Sequence, residues 1–186
     1  ASASTISADV AVVDSVIPLA STSGFPSSGR IKIDSEIITY AGLSGNDLIG
    51  CTRGLNDTIA ATHTSGAAVD CATLIVTDND HGALENDFVT FSAAVSLGGA
   101  VTADILNQEY QVTQILNVNS YEVDVRTVST IGSITTTNGL NPTYVFATSA
   151  DSGNGGGSIV GTYQINTGLD TTIVGNGWGR PYYKRP

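Results

Sequence analysis

Apolar residues recur along this chain mostly with the two-residue period of pleated strands, interrupted at short intervals by Gly, Ser, Asn and Asp. Residues 10–20, VAVVDSVIPLA, begin as a strand-like run, and the STSGFPSSG that follows is a connection. In RIKIDSEIITYAG, Ile31, Ile33, Ser35, Ile37 and Thr39 fall on one face of a continuous strand, and Lys32, Asp34, Glu36, Ile38 and Tyr40 on the other. The adjacent Ile37 and Ile38 break that alternation, which predicts burial on both faces or a bulge between Asp34 and Glu36. LSGND then reads as a turn and LIGCTRG as the partner strand of a hairpin. LNDTIAATHTSGAAVDC is small, polar and weakly periodic: a returning loop, or a helical turn before a last short strand.

A second module opens with ATLIVTDNDHGALENDFVTFSAAV, two strand-like runs separated by DNDHGALEND. In VTADILNQEY, Thr102 is placed to cap a first helical turn, with Ala103, Ile105 and Leu106 at helical spacing, so a short helical turn is expected near 102–108. QEYQVTQILNVNSYEVDVRTV predicts two strands about the turn Asn117–Ser120, with Tyr110, Val112, Tyr121, Val123 and Val125 facing inward. SADSGNGGGS, residues 149–158, has the composition of a flexible loop that projects or links, and VGTYQINTGL resumes extended structure. The expected fold is all-β: two small β-barrel or β-sandwich modules, 1–72 and 73–173, followed by an extended C-terminal arm, 174–186.

Size and charge narrow the partners. In a chain of 186 residues, modules of under ~100 residues each bury only roughly 60–65% of their unfolded surface. Oligomerisation adds buried area, so a homo-oligomer is expected. Seventeen acids against seven Lys and Arg give a net charge of −10, which argues against nucleic acid as a principal partner. ASASTISADV has neither the basic nor the apolar region of a signal peptide, and no window reaches the ~20 apolar residues that span a bilayer. A soluble chain made in a cytoplasm, without a membrane partner, is the expectation. Met is absent, which implies a removed initiator or a piece processed from a longer chain. Cys51 and Cys71 are expected as buried reduced thiols, with a disulfide as the alternative.

Candidate chemistry is sparse. His63 and His81 are the histidines, each in a loop-like context without a nucleophile elbow nearby, so triad chemistry is not expected. His81 precedes a glycine, where it is expected to bond the turn. Asp78, Asn79 and Asp80 lack the alternate-position ligands of a calcium loop, and the cysteines and histidines have no short zinc spacing. The pairs Asp34/Glu36 and Glu122/Asp124 are expected on exposed sheet faces, and SGNGGGS neither follows a strand nor opens a helix as a phosphate loop does. No catalytic residue, cofactor or metal is expected. Arg53 is a candidate for an ion pair with Asp34 or Glu36, or for a partner contact. The ending GNGWGRPYYKRP holds three of the seven basic residues, and Trp178, Arg180, Tyr182, Tyr183, Lys184 and Arg185 are the expected interface residues of an arm that latches onto a neighbour.

Residues 15–69 carry the pattern sGFPssG, idsEiitYaG, GCTRG and aatHssGaaV, which resembles a small β module of tailed-bacteriophage structural proteins. The stretch from TDNDHGALENDFVTF to YEVDV, with YQINTGLD and GNGWGRPYY, is similar to an inserted domain of tail-hub or nozzle proteins of short-tailed phages, whose chains are several times longer. The resemblance implies a non-enzymatic virion structural protein, assembled in the host cytoplasm, that binds other virion proteins. The placements it allows are a capsid decoration or cement protein and a tail or neck accessory such as an adaptor, nozzle or fibre component. The alternative is a host receptor or glycan-binding module on the virion surface.

Overall fold

Short runs of β-branched residues between turn-forming residues leave the backbone little choice but extended pairing, and the chain is all-β and sandwich-like. The computed structural model describes residues 3–127, 129–131, 134–136 and 143–166. Its first part contains β1 (Ala3–Thr5), β2 (Val16–Pro18), β3 (Gly29–Ile33), β4 (Glu36–Tyr40), β5 (Gly42–Ser44), β6 (Asp47–Ile49), β7 (Thr52–Leu55) and β8 (Ala68–Cys71). There follow β9 (Thr73–Thr77), β10 (Phe88–Ser92), α1 (Ala103–Leu106), β11 (Glu109–Asn117), β12 (Ser120–Asp124), β13 (Ser129–Ile131), β14 (Ile134–Thr136) and β15 (Val160–Gln164).

The strands form a five-stranded sheet in the order β1-β8-β3-β4-β7, a three-stranded sheet β2-β6-β5, a second five-stranded sheet β15-β10-β11-β12-β9 and the hairpin β13-β14. Every strand pair among the described residues is antiparallel. The end strands of each five-stranded sheet do not pair with one another, so the barrel alternative is not realised.

The continuous strand expected over RIKIDSEIITYAG is instead a tight hairpin. β3 turns at Asp34 and Ser35 into β4, with Ile33 opposite Glu36, Ile31 opposite Ile38 and Gly29 opposite Tyr40. Asp34 takes the positive φ of 52° that such a turn needs, a conformation an acidic side chain tolerates better than a β-branched one. Two residues of turn reset the alternation, which is why Ile31, Ile33, Glu36, Ile38 and Tyr40 are all buried. LSGND does turn, between β5 and β6, while β7 lies beside β4. β9 pairs with β12 and not with its sequence neighbour β10.

Buried apolar residues fall into two clusters. One joins Ile6, Val10, Ile17, Leu19, Phe25 and Leu48 to the inner face of the first five-stranded sheet. The other is built on cross-strand rungs, Tyr163–Val89–Tyr110 and Val112–Val123–Leu74, covered by Leu97 and Val101. Each fully buried Ile, Leu or Val contributes about 1.5–3 kcal/mol by leaving water. Thr102 caps α1 as expected, its side chain accepting from the Ile105 N–H.

Between the clusters a single residue, Ala72, separates β8 from β9, and the chain there is held on both sides. The Ala72 N–H donates to Arg30 O (2.8 Å), the Val125 N–H to Ala72 O (2.7 Å) and the Ala147 N–H to Cys71 O (2.9 Å). A side chain at Gly29 would come within 2.9 Å of Thr73 Oγ1, so glycine is what lets the two segments approach.

The glycine-rich stretch 149–158 neither projects nor links. Asp151 is buried and accepts four backbone N–H groups at 2.9 Å, from Gly99, Ala100, Val101 and Thr148. The Val95 N–H donates to Gly155 O and the Gly153 N–H to Leu97 O, which lays the loop on the second module. Asp151→Ala strands four backbone donors, that of Val101 buried and the other three part-buried, and is expected to destabilise the protein by about 2–4 kcal/mol in urea unfolding, whereas a projecting loop would tolerate the change.

Candidate functional site

The hairpin that carries acids, a base and a tyrosine is organised around Glu36, whose side chain is 0% exposed. β4 begins with this residue, β7 places Arg53 beside it and the loop before β8 brings His63. Arg53 donates from Nε to Oε1 and from Nη2 to Oε2, each at 2.8 Å, a two-pronged contact that matches a planar guanidinium to a carboxylate. The N–H groups of Gly54 (2.9 Å) and Ala61 (3.0 Å) also donate to it. His63 Nε2 lies 2.8 Å from Glu36 Oε2, and Nδ1 lies 2.7 Å from Asp34 Oδ2. The remaining Arg53 donors reach the carbonyls of Ala11, Asp14 and Ala61.

This is an acid–histidine–acid chain without a nucleophile: among the described residues, the hydrogen bonds of Glu36 and His63 reach no hydroxyl or thiol. It joins four separate pieces of chain, the N-terminal segment, the β3–β4 turn, β7 and the loop before β8. Burial alone would raise the Glu36 carboxyl, but bonds from Arg53, the Ala61 N–H, His63 and the Gly54 N–H outweigh it and hold it at about 2. Of the two expected partners, Glu36 takes Arg53, and Asp34 takes His63.

Glu122 shows the opposite balance. It too is buried, so the exposed-face expectation fails for Glu36 and Glu122, whereas Asp34 is exposed and Asp124 half-buried; Glu122 accepts only from Ser27, through the N–H at 3.2 Å and Oγ at 3.5 Å. Burial therefore wins and its carboxyl is pushed up. It lines a cavity of about 240 Å³ between the clusters with Ser28, Arg30, Gln114 and Asp124. The Arg30 guanidinium lies 3.8 Å from the Tyr144 ring centroid, while Thr73 Oγ1 donates to Asp124 at 2.7 Å. These groups join the modules.

The larger opening, about 830 Å³, lies in the second module. β9 and β15 both line it, with Phe91, Leu97 and Leu106 as apolar floor, Gly153–Gly157 along one wall and Asp78, Asn79, Asp80 and His81 at one end. Tyr163 donates to Asp78 at 2.5 Å and meets the Tyr121 hydroxyl at 2.9 Å. Burial pushes both phenols well above their ordinary value, and for Tyr163 the Asp78 carboxylate adds to the rise. His81 bonds its turn as expected: Nδ1 accepts from the Ala83 N–H and Nε2 donates to Asn117 O, each at 3.0 Å. Among the described residues, no group of three or more His, Cys, Asp or Glu is arranged to hold a metal ion. No helix among them is long and apolar enough to cross a membrane.

No family model, curated protein or solved structure matches the chain. Trp178, Arg180, Tyr182, Tyr183, Lys184 and Arg185 lie outside the described residues. Cys51 and Cys71 are unbonded, half-buried and buried respectively, and burial raises their thiols to about 11 and about 12. The sequence reading missed the roles of His63 and Asp151; the spacing of Asp34, Glu36, Arg53 and His63 carries no local pattern that would announce a shared cluster.

Glu36→Gln leaves Arg53 buried without its counter-charge and is expected to cost about 3–5 kcal/mol. Because the folded carboxyl sits below its ordinary 4.5, its contribution is complete above that pH and is lost as pH falls toward about 2. The stability gap between wild type and Glu36→Gln, measured by denaturant unfolding, should therefore narrow from pH 4.5 downward. A gap that stays constant to pH 2 would contradict the assignment.

Proposed function

We propose that the chain is a non-enzymatic structural protein of a tailed-phage virion that binds other virion proteins during assembly. The observation that carries this reading is the closure of the Glu36–Arg53–His63–Asp34 cluster: Arg53 of GCTRG and His63 of aatHssGaaV both bind Glu36 of idsEiitYaG inside the module. Those motifs belong to the phage-like pattern, and here they hold loops in place. Among the described residues, what remains outward is an acidic surface with open sheet edges, which suits contacts between subunits. Decoration or cement on the head and an adaptor, nozzle or fibre part in the tail or neck are both compatible with it. The cationic aromatic arm would supply the latch, and a trimer is the favoured oligomer.

A second reading, a host receptor or glycan-binding module, is favoured by one observation: the cleft of the second module has Asp78, Asn79 and Asp80 at its end, groups that bond sugar hydroxyls. Quantitative mass spectrometry of purified particles tests the main reading. The chain should appear at a fixed ratio to the major capsid protein, near stoichiometric for decoration and a small multiple of the tail symmetry for an accessory. Absence from particles that are otherwise complete would overturn it.

A further inference from the structure

Among the described residues the second five-stranded sheet is open, with β9 and β15 as its edges. β9 pairs only with β12 and β15 only with β10 among the named strands, and both line the same cleft. Neighbours in the order β15-β10-β11-β12-β9 are all antiparallel, so with an odd number of strands β9 and β15 run in the same direction. They cannot close on each other in an antiparallel ladder, but a single strand running opposite to both pairs antiparallel with each. Each edge strand is five residues long, a span of roughly 17 Å, and each offers one row of backbone groups to an incoming chain.

The cleft also has a definite chemistry. Its floor is apolar, and Ile75, Ile159 and Val160 on its rim are 43%, 40% and 54% exposed. The wall Gly153–Gly157 has no side chains beyond Asn154, which permits close backbone approach. Asp78 and Asp80 make its end acidic, and no Lys or Arg lines it. Through residue 166 the chain has sixteen acids and four bases, whereas residues 167–186 have one acid and three bases. The four body cations are engaged elsewhere: Arg53 with Glu36, Arg30 and Arg126 on Tyr144, and Lys32 over Phe146.

We propose that this cleft receives the C-terminal arm, residues 174–186, of a second copy as an added antiparallel strand. A strand formed by the arm on docking would carry Trp178, Arg180, Tyr182 and Lys184 on one face, so that rings for the apolar floor alternate with cations for Asp78 and Asp80. The occupant matches the cleft in apolarity and charge, its backbone pairs at every rung except the one where Pro181 has no N–H to donate, and the contact is heterologous, so it closes into a ring when the rotation permits. This inference rests on the assembly reading for the presence of a neighbouring copy.

The test uses the full chain in sedimentation equilibrium, with hydrogen exchange of Leu74–Thr77 and Val160–Gln164. Wild type should self-associate, and the outer amides of both strands should be protected only in the associated state. Ile75→Lys with Val160→Lys, both at exposed positions, should weaken association roughly tenfold or more. Arg180→Glu with Lys184→Glu and Arg185→Glu should do the same, and combining the two sets should restore association, an outcome that misfolding would not give. Association indifferent to both sets overturns the proposal. So does edge protection already complete in the dilute monomer, which would mean that the cleft is filled by its own chain. Virion content is a separate measurement: particles holding the chain while these variants associate normally refute the docking and leave the assembly reading standing.

Discussion

A carboxylate with no exposed surface must be matched by donors close to full strength, and at Glu36 that requirement organises the first module. Five hydrogen bonds converge on two oxygens, from Arg53 twice, His63, and the Gly54 and Ala61 N–H groups. To make them, the chain must bring the β3–β4 turn, β7 and the loop before β8 to one point. Arg53 then fixes the N-terminal segment through the Ala11 and Asp14 carbonyls. Short strands of three to five residues do not by themselves specify where long loops lie; a buried charge does, because every displaced donor leaves it uncompensated.

The second module solves the same problem with Asp151, whose four backbone donors at 2.9 Å fasten a loop that glycine would otherwise leave free. Between the modules the balance is different. Glu122 is buried with weaker partners and is pushed toward protonation, and Arg30 shares the small cavity there with ring stacking in place of a direct carboxylate contact. Each module is thus anchored firmly by a buried acid, with looser polar matching at the joint.

Local pattern made the all-β class, the α1 cap and the inward residues of β11 and β12 legible, since each depends on neighbours within a few positions. Tyr110, Val112, Tyr121, Val123 and Val125 are all buried as their alternation implied. The hairpin at Asp34–Ser35 was not legible, because an Asp-Ser pair is a weak turn signal and both flanks alternate; only Ile37 beside Ile38 betrayed the reset. The Glu36 cluster depends on residues up to 29 positions apart, and Asp151 reaches donors 50 to 52 positions away. Composition suggested a loose loop over 149–158, since one buried acid among glycines does not alter a compositional average. The cleft had no sequence signal at all, being a consequence of strand order.

The central claim is that the charges in the hairpin hold the fold together and take no part in chemistry, and it is tested most directly at Glu36 itself. The δ-carboxyl 13C shift of Glu36 should be followed by NMR as the full chain is acidified. The account predicts a carboxylate that stays ionised through the ordinary range and titrates only near pH 2, together with loss of the Arg53 Nε–H bond. Titration near 4.5 while the chain remains folded would mean that the carboxylate is not held by the cluster, and the structural role assigned to these residues would fall with it.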